Sequence, residues 1–463
     1  MNIFKKTLCS ILLFLALQTT TFAQAFKMPQ YEKFVLKNGL TVYLAEQKEV
    51  PIINVSIISA AGAIYDEQQA GLASFTATAL KHGTQNYTKP MLEQELDFVG
   101  ASINTFASKE FAGITAKFAA KDKAKLLTLI KEVWLQPSFD AAEFEKEKTR
   151  LLANLEQQKE SPRNIMPAYY DKFMYGSHVY GNVIQGSKTT ISALTVANVK
   201  AFYANNYLPQ TAAIAVVGDF NIAEMKATLT TLFGSWKPNK TAPTNRAGLP
   251  ILALPISRVL LINKDDARET TFYIGAPGIS RNNPDYVAVD VVNTLFGGRF
   301  TSMLNDELRV NTGLTYGANS RFSPLKNAGT FTISTFTANK TTEAAIDKAL
   351  EVLNTLHNKG LNEQSLTSAK NYVKGQLPPR YETAGQIASL LTQMYWYNFD
   401  EKFINNFEKN VDELTLTKAK EIITKYFPKD KLQFVMVGKA ADIKKIVAKY
   451  GVVTEVQIKE ELK

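Results

Sequence analysis

The chain repeats one pattern at a distance of 220 residues, which restricts it to two copies of a single folding plan. Residues 192–220, SALTVANVKAFYANNYLPQTAAIAVVGDF, align without a gap with residues 412–440, DELTLTKAKEIITKYFPKDKLQFVMVGKA. Leu194/Leu414, Thr195/Thr415, Lys200/Lys420, Val217/Val437 and Gly218/Gly438 coincide. Each copy reads as a threonine-initiated helix, an aromatic residue at its end, a turn with proline, and an apolar strand closed by glycine. A unit repeated at this distance marks a duplicated domain, because stacked solenoid repeats recur every ~20 to 50 residues. The length agrees: 463 residues exceed the roughly 250 to 300 at which one hydrophobic core stops growing.

What flanks and joins the copies is legible too. Residues 1–25 carry a basic start (Lys5, Lys6), an apolar run from Leu8 to Leu17, and small or polar residues up to Ala23 or Ala25. That is the pattern of a cleavable secretory signal peptide, and it predicts export to the periplasm. No later stretch approaches the ~20 apolar residues a membrane span needs, so no integral membrane contact is expected. The only cysteine, Cys9, lies within the apolar run, so cleavage removes it and excludes disulfides, thiolate metal sites and a cysteine nucleophile. The stretch 236–257 contains Pro238, Pro243, Pro250 and Pro255, which favours a stiff extended connector over a helix. The expected organisation is a signal peptide over 1–25, an N-terminal domain over 26–237, a linker over 238–257 and a C-terminal domain over 258–463. Without Lys5 and Lys6 the formal charge falls from +10 to +8. The basic residues are scattered, with no run of five or six, which argues against nucleic acid as a partner.

Element patterns predict the fold class. FVLKNGLTVYLAEQ (34–47) reads as a hairpin turning at Asn38-Gly39, and PIINVSIISAAG (51–62) as a buried strand. Helices are expected over 71–81, 122–135, 142–160, 284–296, 300–311, 341–358 and 363–375, interleaved with strands such as 113–120 and 329–338. This mixture predicts an α+β chain of two homologous domains, each an α/β sandwich with a mostly antiparallel sheet covered by helices.

Several motifs then occur in a specific order: GLASFTATALKHGT (71–84), GASIN (100–104), SHVYGNVIQGS (177–187), VVGDF (216–220) and LFGGRFTSMLNDELRVNTGLTYGANS (295–320). Together they resemble the pitrilysin/insulinase family of inverted zinc peptidases, especially its two-domain bacterial members and the mitochondrial processing peptidase subunits. The resemblance spans essentially all of the chain after residue 25. In that family, the counterpart of 71–84 is a zinc helix with H-x-x-E-H, two imidazoles one helical turn apart holding the metal and a glutamate activating water. Here Ser74 and Thr78 occupy the histidine positions and Ala77 the glutamate position. About 80 residues on, where the resemblance places a third ligand, stands Asn154. Glu147 matches a second acidic position of the family. Hydroxyls and an amide are poor zinc ligands, and Ala77 cannot take a proton, so no zinc is expected on this chain. His82, His178 and His357 lie far apart in sequence and read as packing or surface histidines.

The second half differs. Arg309 and Tyr316, seven residues apart around a Gly-Leu pair, match the family's second-domain pair. A guanidinium and a phenol both donate hydrogen bonds that can hold a substrate carbonyl and stabilise an oxyanion. Arg309 is expected near the end of helix 300–311, and Tyr316 at the start of the next strand. Gly297-Gly298 reads as a helix stop, because no phosphate-loop pattern surrounds it.

The resemblance implies a zinc-less subunit of a heterodimeric zinc endopeptidase that degrades unfolded peptides. Its partner would carry the intact H-x-x-E-H and the zinc, and Arg309 and Tyr316 would serve that site in trans. The alternative is a pseudoenzyme acting as a peptide-binding or assembly scaffold. A third reading, an independent enzyme with a relocated metal, requires a metal site elsewhere in the chain.

Overall fold

The computed structural model describes residues 26–239, 248, 251 and 253–461, in which the chain builds two six-stranded sheets. Residues 1–25, with their signal-peptide expectation, and most of the connector 238–257 lie outside the described residues. The first sheet comprises β1 (Glu32–Val35), β2 (Thr41–Glu46), β3 (Ile52–Ser59), β4 (Ser102–Ala107), β5 (Ala112–Ala119) and β6 (Ala212–Gly218), in the order β1-β2-β6-β3-β5-β4. The second comprises β7 (Arg258–Asn263), β8 (Glu269–Pro277), β9 (Asn319–Pro324), β10 (Gly329–Ala338), β11 (Gln433–Gly438) and β12 (Val452–Gln457), in the order β12-β7-β11-β8-β10-β9. Apart from the outermost β1 and β12, the two orders correspond strand for strand. The pairs β2–β6, β7–β11 and β7–β12 are parallel and the others antiparallel.

Local chemistry explains several elements directly. Gly39 takes φ +92 in the β1–β2 hairpin, a left-handed conformation that glycine adopts at little cost, and Leu36 N donates to Leu40 O at 2.9 Å. The repeated unit behaves alike in both halves. Thr195 and Thr415 accept from the N–H groups of Asn198 and Lys418 and so cap the helices Val196–Asn206 and Leu416–Tyr426. Each of these helices leads into the wholly buried strand β6 or β11 in the middle of its sheet.

One face of each sheet is covered by helices of its own half. In the first half these include α1 (Leu72–Ala79), α2 (Lys89–Phe98), α3 (Lys123–Leu135) and α4 (Ala141–Gln158), which enclose Val42, Leu44, Ile57, Phe75 and Trp134. The other face is covered by a helix from the opposite half. Ile165, Met166, Tyr169 and Tyr170 of α5 (Pro162–Tyr175) pack on Leu260, Ile262, Val435 and Val437 of the second sheet. Further on, α6 (Thr342–Lys359) and α7 (Glu363–Arg380) cover the second half's own face. Finally α8 (Ala384–Tyr397) lays Ile387, Ala388, Leu391 and Met394 on Tyr43, Ala45, Ala213 and Ala215 of the first sheet. The alanines on β6 leave room for α8 to approach closely.

Differences from the sequence reading have physical causes. Helix α5 was not expected, because Pro167 lies inside it and its apolar residues bury against a sheet distant in sequence. The expected helix 300–311 is broken: only 303–305 is α-helical, and 306–311 form a wider π-type turn. The expected helix 284–296 is α-helical over Tyr286–Asn293 and likewise widens over Thr294–Gly298. Tyr316 does not begin a strand; it lies in the loop before β9.

Candidate functional site

Both widened turns face one cavity of about 680 Å³ beside β8, β10 and β9, and Arg309 and Tyr316 both line it. Gly297 permits this arrangement, because a β-carbon there would collide with Ser320 Oγ and the Ser320 backbone nitrogen on β9. The double glycine does end the helix, and it also lets the turn press against the sheet. Tyr316 is 83% exposed and stacks loosely on Phe336, with ring centroids 6.5 Å apart and planes at 23°. The Arg309 guanidinium lies over the ring of Phe300, 4.6 Å from its centroid. Among the described residues neither hydrogen-bonding head has a hydrogen-bond or ion-pair partner, so both can reach a ligand from this wall.

Two further arginines line the cavity. Arg163, near the start of the exchanged helix α5, sits over Phe336 at 4.0 Å, and Arg299 lies over Tyr372 of α7 at 5.8 Å. Arg299 Nη1 also donates to Ser368 Oγ at 3.0 Å. Sequence reasoning missed Arg163, Arg299, Phe300, Phe336 and Tyr372. Arg299 and Phe300 lie within the motif 295–320 but drew no role there, and Arg163 is brought in only by the helix exchange.

The first half offers a smaller cavity of about 480 Å³ at the corresponding strands β3, β5 and β4. Its lining includes Asn54, Asn104 of the GASIN motif, Lys117, Arg380 and Gln386. None of Ser74, Ala77, Thr78, Asn154 or Glu147 lines either cavity.

The positions that correspond to the zinc helix do not fit a metal. Thr78 spends its hydroxyl on the carbonyl of Ser74 at 3.1 Å, one turn back along α1, and Ala77 is buried in the core. Asn154 lies half-buried on α4. Glu147, also on α4, is gripped by Arg150, whose Nε donates to it at 2.9 Å, and stands 4.0 Å from His82 Nε2. Burial pushes the His82 imidazole below its ordinary range, against a smaller opposing effect of Glu147. His178 is buried in a separate aromatic cluster, and His357 lies on α6. Among the described residues no group of three or more His, Cys, Asp or Glu side chains is placed to hold a metal ion.

Instead, the motifs around α1 build a structural joint. Asp66 accepts from Gly71 N at 2.9 Å and from Ala73 N at 2.7 Å, capping the helix start from below. Gly71, at φ +96, crosses Gly186 of the SHVYGNVIQGS loop so closely that a β-carbon on it would lie 2.9 Å from the Gly186 Cα. Burial raises the Asp66 carboxyl to about 8, despite the two backbone N–H groups that favour its charged form. Nearby Glu110 is buried where the halves meet. It accepts from Tyr180 Oη at 2.6 Å in the first half, and from Lys326 N at 3.0 Å and Trp396 Nε1 at 3.2 Å in the second.

Comparison with known proteins agrees with this architecture. A family model described as Insulinase (Peptidase family M16) matches residues 41–186, and one described as Peptidase M16 inactive domain matches residues 193–373. The uncharacterized zinc protease YmxG of Bacillus subtilis is 22% identical over 347 residues, 75% of this chain and 83% of its own. A Helicobacter pylori protein named non-peptidase homolog YmxG is 24% identical over 387 residues, covering 81% of this chain and 86% of its own. The crystal structure of a peptidase M16 inactive domain from Pseudomonas fluorescens superposes with a TM-score of 0.82 at 27% identity, over 89% of this chain and 98% of that one. The periplasmic protease PqqL of Escherichia coli superposes with a TM-score of 0.73 at 15% identity, over 95% of this chain and 51% of its own.

Proposed function

The chain belongs to the insulinase family, peptidase family M16, and from that premise we propose that it is the zinc-less subunit of a heterodimeric zinc endopeptidase that degrades unfolded peptides in the periplasm. The observation that carries this reading is the division of the machinery. The zinc-helix positions hold Ser74, Ala77 and Thr78, with Thr78 bonded into its own helix, while Arg309 and Tyr316 present free donors to a single cavity. A partner M16 subunit with an intact H-x-x-E-H supplies the zinc and the glutamate that activate water. Arg309 and Tyr316 hold the peptide carbonyl and donate to the oxyanion as the tetrahedral intermediate forms. The name of the Helicobacter pylori relative, a non-peptidase homolog, supports the loss of independent activity. Residues 1–25 support export to the periplasm, and no helix among the described residues is long and apolar enough to cross a membrane. The domain organisation proposed with it is 26–237, a linker over 238–257, and 258–463.

A native pull-down from periplasmic extract, with mass spectrometry of the species eluting at equal stoichiometry, tests the assembly. The expected result is a partner of similar size bearing an H-x-x-E-H helix and stoichiometric zinc. Recovery of this chain alone, or with an unrelated assembly, would overturn the reading in favour of the scaffold.

A further inference from the structure

We propose that the second-half cavity selects peptides by their carboxylates, from acidic side chains or a free C-terminus, through Arg163 and Arg299 acting beside Arg309. The inference deepens the reading that this cavity receives peptide, and rests on it. Three guanidinium groups line the cavity, and no aspartate or glutamate does. Among the described residues none of the three forms an ion pair, whereas lysines across the rest of the surface commonly do. Each guanidinium instead lies over an aromatic ring, Arg163 on Phe336, Arg299 on Tyr372 and Arg309 on Phe300. A ring contacts the face of a guanidinium and leaves its edge to other partners: among the described residues the edges of Arg163 and Arg309 are open to grip a carboxylate by two parallel hydrogen bonds, while Arg299, whose Nε donates to Thr301 O and whose Nη1 donates to Ser368, is held in place and offers its Nη2. Three uncompensated positive charges around one concavity raise the local concentration of anions. Phe300, 66% exposed, and Tyr372, 41% exposed, add apolar surface for the neighbouring parts of a peptide.

The corresponding first-half cavity provides an internal contrast. It is lined by Asn54, Asn104 and Gln386, with Lys117 and Arg380 as its cations, and Arg380 approaches Asp290 at 3.9 Å. The two halves share a framework, and the cationic-aromatic lining belongs to one of them.

Binding of the purified full chain to unstructured fluorescent peptides of matched length and apolar content tests the proposal without any partner. Glu-rich, Ser/Gln-rich and Lys-rich peptides, each with a free or an amidated C-terminus, would be titrated at low and high salt. At low salt the Glu-rich peptide is expected to bind at least about tenfold more tightly than the Lys-rich one, with the gap closing as salt screens the charges. Loss of affinity on amidation would assign the C-terminal carboxylate as the recognised group, and retention would assign the side chains. The double variant Arg163→Gln/Arg299→Gln is expected to reduce the preference to about threefold or less at an unchanged melting temperature. It removes two of many positive charges, so a preference arising from overall charge would survive it. If the double variant unfolds, Arg163→Gln alone, at an exposed position, carries the same test. Equal affinities for acidic and basic peptides, no peptide binding at all, or a preference that survives the substitutions would overturn the proposal. Such a failure would leave the role of Arg309 and Tyr316 in trans untouched. Hydrolysis by the assembled pair that ignored Tyr316 would sink that role and leave an acidic preference standing.

Discussion

At the residue scale, Asp66 and Glu110 show buried carboxylates serving the fold. The Asp66 carboxyl has a pKa of about 8 in the folded chain against 3.8 when free. The folded state therefore keeps a proton that the unfolded state releases, and the contribution of Asp66 to stability falls as pH rises from about 4 to about 8. Denaturant midpoints at pH 5 and pH 8 should show this slope in the native chain and a flatter one in Asp66→Asn; equal slopes would remove Asp66 as its source. Glu110 is expected to matter more. Glu110→Ala leaves Tyr180 Oη, Trp396 Nε1 and Lys326 N without their acceptor, at a cost of about 3 kcal/mol or more. Urea unfolding would register it, and a shift under about 1 kcal/mol would mean that water replaces the carboxylate.

At the scale of elements, the docking of α5 on the second sheet depends on one missing side chain. Tyr170 Oη donates to Phe331 O at 2.7 Å in a space that a β-carbon on Gly275 would occupy. Gly275→Ala should cost about 1 to 3 kcal/mol through overpacking and displace α5, and Arg163 with it. Thermal melting and peptide binding measured on the same variant would check both effects. The hairpin at Asn38-Gly39, the buried β3 and the threonine-capped helices were legible because their determinants lie within a few residues of one another. Helix α5 was not, since its apolar face answers to Leu260 and Val435, nearly a hundred residues away or more. The π-type turns that carry Gly297, Gly298 and Arg309 escaped for a related reason. Periodicity reports an apolar helical stretch but not a local widening of its turns, which form where the chain packs against residues distant in sequence, Gly297 against Ser320 of β9 and 306–311 against α6. Arg309 and Tyr316 were identified through the family motif, and their shared cavity emerged only from the packing of those turns.

Over the whole molecule, the two halves exchange helices, so each sheet owes one of its faces to the other half. A half expressed alone would expose the face made by Tyr43, Ala213 and Ala215, or the one made by Leu260, Ile262 and Val435. Unfolding is expected to follow one transition by both tryptophan fluorescence and far-UV circular dichroism, and two separated transitions would show that the halves are independent. Such an interlocked shell suits a rigid wall that presents donors to a catalytic partner. The most direct test of that proposed role is peptide hydrolysis by the chain assembled with the zinc-bearing partner proposed for it, comparing native Tyr316 with Tyr316→Phe at matched complex formation. Because the Tyr316 ring is mostly exposed, the substitution should leave the fold intact, and loss of its hydroxyl is expected to lower kcat by about 100-fold. Hydrolysis at the native rate by the Tyr316→Phe complex would contradict a contribution of this chain to the chemistry.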